Sequence, residues 1–353
     1  MKNTESSMAL FIDKSLLSYV CRAQSVSDLS VRLLESQFNY RYANNEFFHD
    51  DIKYVITILT TVSLSLAVTF SQHMQAVNIL KSVSIESLKQ TGLIASATTS
   101  VKGASLNSNV NLATDTTKLE RECPIISYFS EATHIIFTGS IKNNNVIVFS
   151  DKQSLDIEIE REIKTFGMID NHIQSIKFSV ERDVCLIIND SKRILTDKIL
   201  AFYAHLYWCI AWSAMFSRVV NFIKCSIGEY KFYHYEKMQQ LLNIDLINNS
   251  LIKAIERNKD IQSSDNLAED LVNHIQLNTV KIVISENVCN GMKLAMDILG
   301  FKKGYTVNDE NSWLHKAYID LLSSPLMFNN AELNKINIET LQILKQFKSN
   351  RHV

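Results

Sequence analysis

The feature that most constrains the fold is an uncharged apolar stretch in the second half of the chain. Residues 199–216 contain no Asp, Glu, Lys or Arg. A stretch of this kind lies either across a membrane or at the centre of a large helical bundle. It is at the lower edge of the length that a bilayer requires, contains His205 and Ser213, and lacks a basic cluster on one side. We therefore predict a buried helix here and no membrane span.

Length and composition favour several helical cores and disfavour a nucleic-acid partner. The chain has 353 residues, of which 46% are hydrophobic, so two or three packed domains are expected. Only 2 prolines and 8 glycines occur, so long helices should dominate over loops. The 36 Lys and Arg residues balance 37 Asp and Glu residues. This balance leaves no basic field to attract nucleic acid, and we predict no nucleic-acid partner.

The cysteines and the N-terminus favour a cytoplasmic protein. The six cysteines are widely scattered and form no C-x-x-C pair, which argues against a zinc site and against a disulfide framework. They are Cys21, Cys123, Cys185, Cys209, Cys225 and Cys289. The first residues are polar and resemble no secretory signal. We therefore expect reduced thiols, no metal and a cytoplasmic location.

The spacing of apolar residues divides the chain into three predicted domains. In residues 1–91 apolar residues recur at helical spacing, as at Val55, Ile56 and Leu59. Residues 92–190 contain short runs of β-formers separated by polar turns, which predicts a β domain. Residues 191–353 return to helical spacing and are long enough for a four-helix bundle. The predicted helices of this third region are 194–226, 234–258, 266–299, 312–322 and 331–347.

Short motifs occur in the first two regions. Residues 64–77 form a helical pattern that includes His73, which is more often a polar residue satisfied at a helix end than a ligand. Residues 97–105 read Ala-Thr-Thr-Ser-Val-Lys-Gly-Ala-Ser, and residues 128–132 read Tyr-Phe-Ser-Glu-Ala. Residues 167–180 begin Gly-Met-Ile-Asp-Asn. The charged residues between 156 and 164 predict only a solvated segment.

Taken in order with the C-terminal helices, these motifs resemble the acyl-CoA dehydrogenase family and its flavin monooxygenase-like relatives. The resemblance covers nearly the whole chain. It implies a mainly α fold with a small β domain: an N-terminal helical domain, a middle β-barrel-like domain and a C-terminal four-helix bundle. It also implies bound FAD, with FMN possible, and a CoA- or carrier-bound acyl thioester substrate. In such a site a flavin accepts hydride from the β-carbon while a carboxylate removes the α-proton.

The resemblance implies cofactor-binding roles at five positions. Thr98 and Gly103 match the family loop that borders the flavin, although Thr99 stands where that loop has an acid. Tyr128 and Ser130 match the aromatic and hydroxyl residues that approach the flavin ring. The fifth position is Gly304, in a turn that resembles the family's Gly-Gly-x-Gly with one residue extra.

The position of the catalytic carboxylate is altered. In the commonest family pattern it would fall at Phe328, which cannot accept a proton. Some relatives place the acid in a Glu-Arg pair near the start of the first bundle helix, and Asp197-Lys198 occupies that place here. Asp197 is therefore the candidate base. An acid in the first turn of a helix, beside Thr196 as N-cap, is also the ordinary structural explanation of this residue.

Several family arginines are replaced. Glu229 stands at the arginine position that follows the first bundle helix, while Lys316 and Ile319 stand in the Arg-x-x-Arg-Asp signature. Two functions follow from these changes. The chain is either a flavoprotein oxidoreductase acting on an acyl thioester in a dedicated pathway, or a catalytically degenerate subunit of an active homologue. In both cases we expect a homo- or hetero-oligomer formed through the C-terminal bundle.

Overall fold

Helices make up 64% of the structure and occur on both sides of a run of strands. The structure is a computed structural model that describes residues 14–98, 112–114, 117–190, 194–226, 234–257, 267–307, 311–327 and 329–349. This organisation confirms the predicted mainly α fold with a small β portion. The predicted domain boundaries at 91 and 190 stay predictions.

Among residues 14–93, five α-helices precede the first described strand. They are α1 (Lys14–Cys21), α2 (Val26–Glu35), α3 (Phe38–Ala43), α4 (His49–Leu59) and α5 (Leu64–Val83). The sequence pattern from residue 52 to 66 resembles one continuous helix, but the structure divides it between α4 and α5. The division occurs at Ser63, whose hydroxyl accepts a hydrogen bond from the Leu66 amide at 3.0 Å and so caps α5. Helix α5 is buried on nearly all sides.

The strands that the structure describes form two four-stranded sheets. They are β1 (Ile94–Ala97), β2 (Ala113–Thr114), β3 (Lys118–Ile126), β4 (His134–Ile141), β5 (Asn144–Asp151), β6 (Leu155–Glu162), β7 (Gln174–Glu181) and β8 (Leu186–Asn189). The strand order is β1-β4-β5-β8 in one sheet and β2-β3-β7-β6 in the other. Phe137 of β4 meets Phe178 of β7 edge to face, with ring centroids 5.1 Å apart, so apolar faces of the two sheets pack together.

The connections within the sheets are mostly local. Strands β4 and β5 are joined by Lys142 and Asn143, whose φ angles of 49° and 66° fit the two-residue turn that suits a twisted hairpin. Strand β1 instead pairs with β4 in parallel, with Ile94 opposite His134. The charged segment predicted to be solvated is strand β6, which lies at a sheet edge and is largely exposed.

Helices follow the sheets to the end of the described chain. They are α6 (Ala201–Ser226), α7 (Tyr235–Arg257), α8 (Leu267–Gly300), α9 (Ser312–Leu321) and α10 (Asn330–Ser349). A wider π-helical turn, Ile194–Leu200, precedes α6, and a second, Phe301–Tyr305, follows α8. These bounds confirm the helices predicted from apolar spacing. Helix α6 packs against α5, α7 and α8, and α10 packs on α8.

Helix α6 contains the uncharged stretch described at the outset. The segment Ile194–Ser226 is long and apolar enough to cross a membrane, but 83% of its most apolar window is buried inside the protein. Trp212, Phe216 and Val219 are each fully buried among the neighbouring helices. The buried position agrees with the prediction of a core helix.

The N-terminal end of this helical segment differs from the prediction in one respect. Thr196 was expected to be its N-cap, but the chain is already helical at Ile194. Asp190 instead caps the first turn, because its carboxylate accepts the amides of Leu195 at 2.9 Å and Thr196 at 3.0 Å. The Thr196 hydroxyl also donates to Asp190, at 2.5 Å. An acid just before a helix stabilises the unpaired amides of its first turn.

His73 joins two helices to the first strand. Its Nδ1 accepts the Ile94 amide at 3.1 Å, and its Nε2 lies 2.7 Å from the side-chain oxygen of Asn39. The Asn39 amide donates in turn to the carbonyls of Thr91 at 2.7 Å and Gly92 at 2.9 Å. The ring is therefore neutral with its proton on Nε2. The prediction that His73 is a satisfied polar residue is confirmed, but its predicted place at a helix end is wrong, because it lies in the middle of α5.

This network predicts a loss of stability in mild acid. Burial lowers the pKa of His73 to about 3, whereas an exposed histidine titrates near 6.5. The unfolded chain therefore binds one more proton between these two values. The free energy of unfolding should fall by about 1.4 kcal/mol per pH unit as pH decreases below 6.5. Urea unfolding of the wild type and of His73→Gln between pH 7 and 5 measures this effect.

The variant isolates the contribution of His73 from that of other groups. Burial also lowers the pKa of His205, which adds a second slope of the same sign. Removal of His73 should therefore reduce the pH slope by about one proton per molecule. Equal slopes in the two proteins would contradict a neutral, buried His73.

Candidate functional site

A cavity of about 590 Å³ lies where the first sheet, α5, the start of α6 and α9 come together. Its volume is within the range of small-molecule sites in proteins. Most of the exposed surface of the cavity is apolar, although nine of its twenty lining residues carry a polar side chain. The lining consists of Gln72, Gln75, Ser96, Thr98, Ile125, Ser127, Tyr128, Thr165, Phe166, Gly167, Met168, Asn171, Ile173, Leu200, Trp208, Ile319, Leu322, Ser323, Leu326 and Met327.

The sheet side of the cavity carries Ser96, Thr98 and Tyr128. Ser96 lies on β1, and Thr98 directly follows that strand. Tyr128 follows β3 with φ of 46°, and its amide donates to the Asn171 carbonyl at 2.5 Å. This bond fixes the left-handed residue, and burial raises the pKa of its phenol. The Ser96 and Tyr128 hydroxyls are buried without a hydrogen-bond partner among the described residues.

The helix side carries two glutamines from α5 and one tryptophan from α6. Gln72 and Gln75 are three residues apart, so they lie on the same face of α5. The Oε1 atom of Gln72 and the Nε2 atom of Gln75 are buried and have no partner within the described part of the chain. Trp208 adds an aromatic surface beside them and is 6% exposed.

The remaining wall is formed where the β6–β7 connection meets α9. Gly167 approaches α9 so closely that a Cβ atom there would lie 2.6 Å from the Ile319 carbonyl oxygen. The next amide, of Met168, donates to the Asp320 carboxylate at 2.6 Å. Burial raises the pKa of Asp320, and the bond from Met168 opposes that shift. A second contact joins the Lys316 ammonium to Asp170 at 2.5 Å.

The charge of the cavity follows from its lining. Among the described lining residues there is no Asp, Glu, His, Lys or Arg. The buried acid of α9, Asp320, is not a lining residue and accepts a hydrogen bond from the amide of the lining residue Met168, while its neighbour Ile319 lines the cavity. Such a space favours a neutral, largely flat or apolar group that can also make several hydrogen bonds.

Solved structures resemble this arrangement over almost the whole chain. An FAD-dependent dehydrogenase has a TM-score of 0.74 at 12% identity, covering 97% of this chain and 100% of its own. The prolyl acyl carrier protein oxidase AnaB has a TM-score of 0.72 at 12% identity, covering 95% and 97%. PigA with FAD and proline has a TM-score of 0.67 at 15% identity, covering 97% and 99%. Two of these three structures are named with FAD, and each of the three covers at least 95% of this chain.

The chain has the acyl-CoA dehydrogenase fold. The resemblance identified from the motifs is thereby confirmed at the level of the fold. No protein-family model and no curated protein sequence matches the chain. Another solved structure of this fold, TdsC from Paenibacillus sp. A11-2, contains FMN; it has a TM-score of 0.69 at 10% identity and covers 92% of this chain and 93% of its own.

Within the acyl-CoA dehydrogenase fold, the structure brings together two of the predicted site residues. Thr98 and Tyr128 line the same cavity. Ser130 lines an adjacent groove of about 440 Å³ with Lys164 and His172, and its hydroxyl donates to Glu131 at 2.7 Å. The groove and the cavity share part of the β6–β7 connection, so Ser130 is close to the cavity but outside its lining.

Gly304 lies apart from the other predicted residues. It lines a third cavity, of about 490 Å³, between α7, α8 and α9. A Cβ atom at Gly304 would lie 2.5 Å from the Met296 carbonyl oxygen, so close backbone packing requires a glycine there. The predicted turn is the wide helical segment that follows α8. Its role as a cofactor contact stays a prediction.

For the candidate base, Asp197, the structure describes the position of the backbone but not that of the side chain. Asp197 lies in the helical turn Ile194–Leu200, and Leu200 lines the cavity. The adjacent Lys198 pairs with Asp270 of α8 at 2.6 Å. Four positions discussed from the sequence lie outside the described residues: Thr99, Gly103, Glu229 and Phe328.

Sequence reasoning missed several lining residues. It singled out His73 on α5, but the neighbouring Gln72 and Gln75 line the cavity. A signal was present, because the two amides are three residues apart and so share a helix face, whereas the other polar residues between 64 and 77 are small hydroxyl residues and His73. Ser96 and Trp208 had no comparable signal, since a serine in a strand and a tryptophan in a buried helix are ordinary.

Proposed function

We propose that this protein is a flavoprotein oxidoreductase that acts on an acyl thioester. The observation that carries the proposal is the cavity, which places Thr98 and Tyr128 beside unpaired buried hydrogen-bonding atoms in the acyl-CoA dehydrogenase fold. Buried polar groups without partners are rare in folded proteins and often mark a site that a ligand completes. Solved proteins of this fold bind FAD or FMN.

The residues present fit the flavin ring system. An isoalloxazine is flat and carries donors and acceptors along one edge. The Ser96 and Tyr128 hydroxyls and the backbone near Thr98 would bind that edge, while Ile319 would cover its apolar surface. When bound, a flavin supplies a hydride acceptor. Because the described lining has no cation, the cofactor phosphates would bind outside it, where Gly103 and Gly304 are the predicted contacts.

The protein's own chemical task is to hold the thioester and remove its α-proton. We propose Asp197 as the acceptor of that proton, because its helical turn leads directly into Leu200 at the cavity. The apolar residues of α9 and of the segment after it, including Leu322 and Met327, would exclude water from the reacting carbons. Exclusion of water strengthens polar interactions with the thioester carbonyl.

The composition of the cavity lining also favours a second function. No described lining residue is a carboxylate or histidine, and Ile319 occupies the place of a family arginine. A chain with these features could serve as a catalytically degenerate subunit or scaffold partner of an active homologue. The proposed assembly through the C-terminal bundle is common to both functions.

The visible absorption spectrum tests the proposal. The protein is purified without added cofactor and measured again after incubation with FAD and with FMN. We expect flavin bands that remain after gel filtration at a ratio near one flavin per chain. Dissociation constants for the two flavins, from quenching of flavin fluorescence, then identify the preferred cofactor. Failure to bind either flavin would contradict the oxidoreductase and favour the degenerate subunit.

A further inference from the structure

Two glutamines on α5 differ from the other polar side chains of that helix. Thr69 donates to the Asn171 side chain at 3.1 Å. His73 uses both ring nitrogens, and Asn78 both accepts from Tyr42 at 2.9 Å and donates to the Met74 carbonyl at 2.7 Å. Each of these residues is satisfied within the fold. Gln72 and Gln75, which face the cavity, are the exceptions.

The unpaired atoms of these glutamines are of opposite kinds. Gln72 Oε1 is an acceptor and Gln75 Nε2 is a donor, and both are buried without a partner among the described residues. Gln75 is 5% exposed, so bulk water does not readily satisfy it. A buried amide without a partner destabilises the folded protein. Two such amides on one face of a helix indicate a group that they bind.

The two glutamine amides and the predicted flavin contacts lie on different sides of the cavity. Thr98 and Tyr128 are on the sheet side of the cavity, whereas Gln72 and Gln75 are on the helix side. If the flavin edge is held at the sheet side, the helix side is left for the acyl group. This step rests on the proposed function.

We propose that Gln72 and Gln75 select an acyl thioester whose acyl chain carries an uncharged hydrogen-bonding group, such as an amide, rather than a saturated hydrocarbon chain. A methylene chain would leave both glutamine amides unpaired in the complex. A group with one donor and one acceptor would pair with both. A charged acyl group is disfavoured because the described lining offers no counter-charge.

Two pantetheine thioesters of nearly equal shape test this selection. The 4-amino-4-oxobutanoyl thioester ends in a carboxamide, and the 4-methylpentanoyl thioester has two methyl groups in place of its oxygen and nitrogen. Both have hydrogens on the α- and β-carbons. Their dissociation constants are measured by the change that they cause in the absorption of the bound flavin. We expect the carboxamide to bind the wild type at least about tenfold more tightly, as one unpaired buried hydrogen bond implies.

Methionine variants assign the preference to the two glutamines. Gln72→Met, Gln75→Met and the double variant keep an unbranched side chain of similar length but remove the amides. We expect the preference to disappear or reverse while flavin affinity is unchanged. In the absence of ligand these variants should unfold at the same or a higher temperature, because an unpaired buried group has been removed. If the double variant does not fold, the single variants and the wild-type comparison still decide the question.

Gln174→Met is a matched control. Gln174 is also buried and also has an unpaired Oε1, but it lines the adjacent groove rather than the cavity. It should retain the wild-type preference.

Some results would contradict the proposed preference for a hydrogen-bonding acyl chain and leave the proposed oxidoreductase function standing, whereas others would contradict both. Equal affinities for the two thioesters in the flavin-loaded wild type, or no spectral response to either, would overturn the selection by the two glutamines. It would also be overturned if the glutamine variants lost flavin affinity and kept the preference, because the amides would then belong to the flavin site. A wild type that binds no flavin would remove the proposed function first, before any thioester is added, and this assignment with it.

Discussion

Replacement of Asp197 by asparagine is expected to slow reduction of the bound flavin by a thioester roughly 10²- to 10⁴-fold. Asparagine has nearly the same shape as aspartate but cannot accept the α-proton. Because the change should affect proton removal alone, the flavin content and the thioester dissociation constant should stay close to those of the wild type. Anaerobic stopped-flow measurement of the loss of flavin absorbance gives the rate directly.

Two controls make this result specific. Asp183→Asn changes an exposed acid in the turn between β7 and β8 and should leave the rate unchanged. Asp197→Glu keeps a carboxylate and should recover part of the activity lost in the asparagine variant. A rate in Asp197→Asn equal to that of the wild type would show that another group is the base. The unassigned carboxylates near the cavity would then be tested in the same way.

Replacement of Gly167 by alanine is expected to lower the free energy of unfolding by about 1–3 kcal/mol. The added Cβ would lie 2.6 Å from the Ile319 carbonyl oxygen and 3.3 Å from the Asp320 Cα. Both atoms belong to the backbone of α9, so no side-chain rotation relieves the overlap. The β6–β7 connection and α9 must separate, which weakens the bond from the Met168 amide to Asp320 and distorts the cavity wall. Flavin affinity should therefore decrease as well.

Urea unfolding measures this effect, and Phe166→Ala serves as the comparison. Phe166 precedes Gly167 but is 79% exposed, so its removal should change the unfolding free energy by less than about 0.5 kcal/mol. Equal stability of Gly167→Ala and the wild type would show that the connection can move away from α9 without cost. If flavin affinity were lost in Phe166→Ala but not in Gly167→Ala, the affinity would depend on the exposed Phe166 ring and not on the packing of Gly167 against α9.

The C-terminal helices could be predicted from the sequence because apolar residues recur along them at helical spacing. The end of α6 and both ends of α8 agree with the predicted bounds to within one residue, whereas the first seven residues of the predicted helix 194–226 form the π-helical turn before α6. Strand β3 was missed because its sequence, Lys118–Ile126, contains four charged residues, one of which points inward. That residue is Arg121, which is 3% exposed and donates to the Thr138 carbonyl. A buried arginine in a strand contradicts the simple alternation on which strand prediction depends.

The candidate site could be predicted only in part, for a different reason. Thr98 and Tyr128 lie in motifs that resemble those of known proteins, so their positions could be carried over. The importance of Gln72 and Gln75 depends on the absence of a partner for their amides. Whether a buried group is satisfied is decided by residues far away in the chain, as with Asn171, which pairs with Thr69. Such long-range hydrogen bonds cannot be predicted from local sequence patterns.

The parallel pairing of β1 with β4 has a consequence for the order of folding. The hairpin of β4 and β5 closes through two residues, whereas β1 can join β4 only after Ile94 and His134, which are 40 positions apart in the chain, have been brought together. Pairing of distant segments is slower than closure of a tight turn, so we expect β1 to be added late. Ser96 lies on that strand, and Thr98 follows it. If the proposed flavin site is formed with Ser96 and Thr98, we expect the flavin to bind only after β1 has been added to the sheet, and to be released when β1 separates from β4.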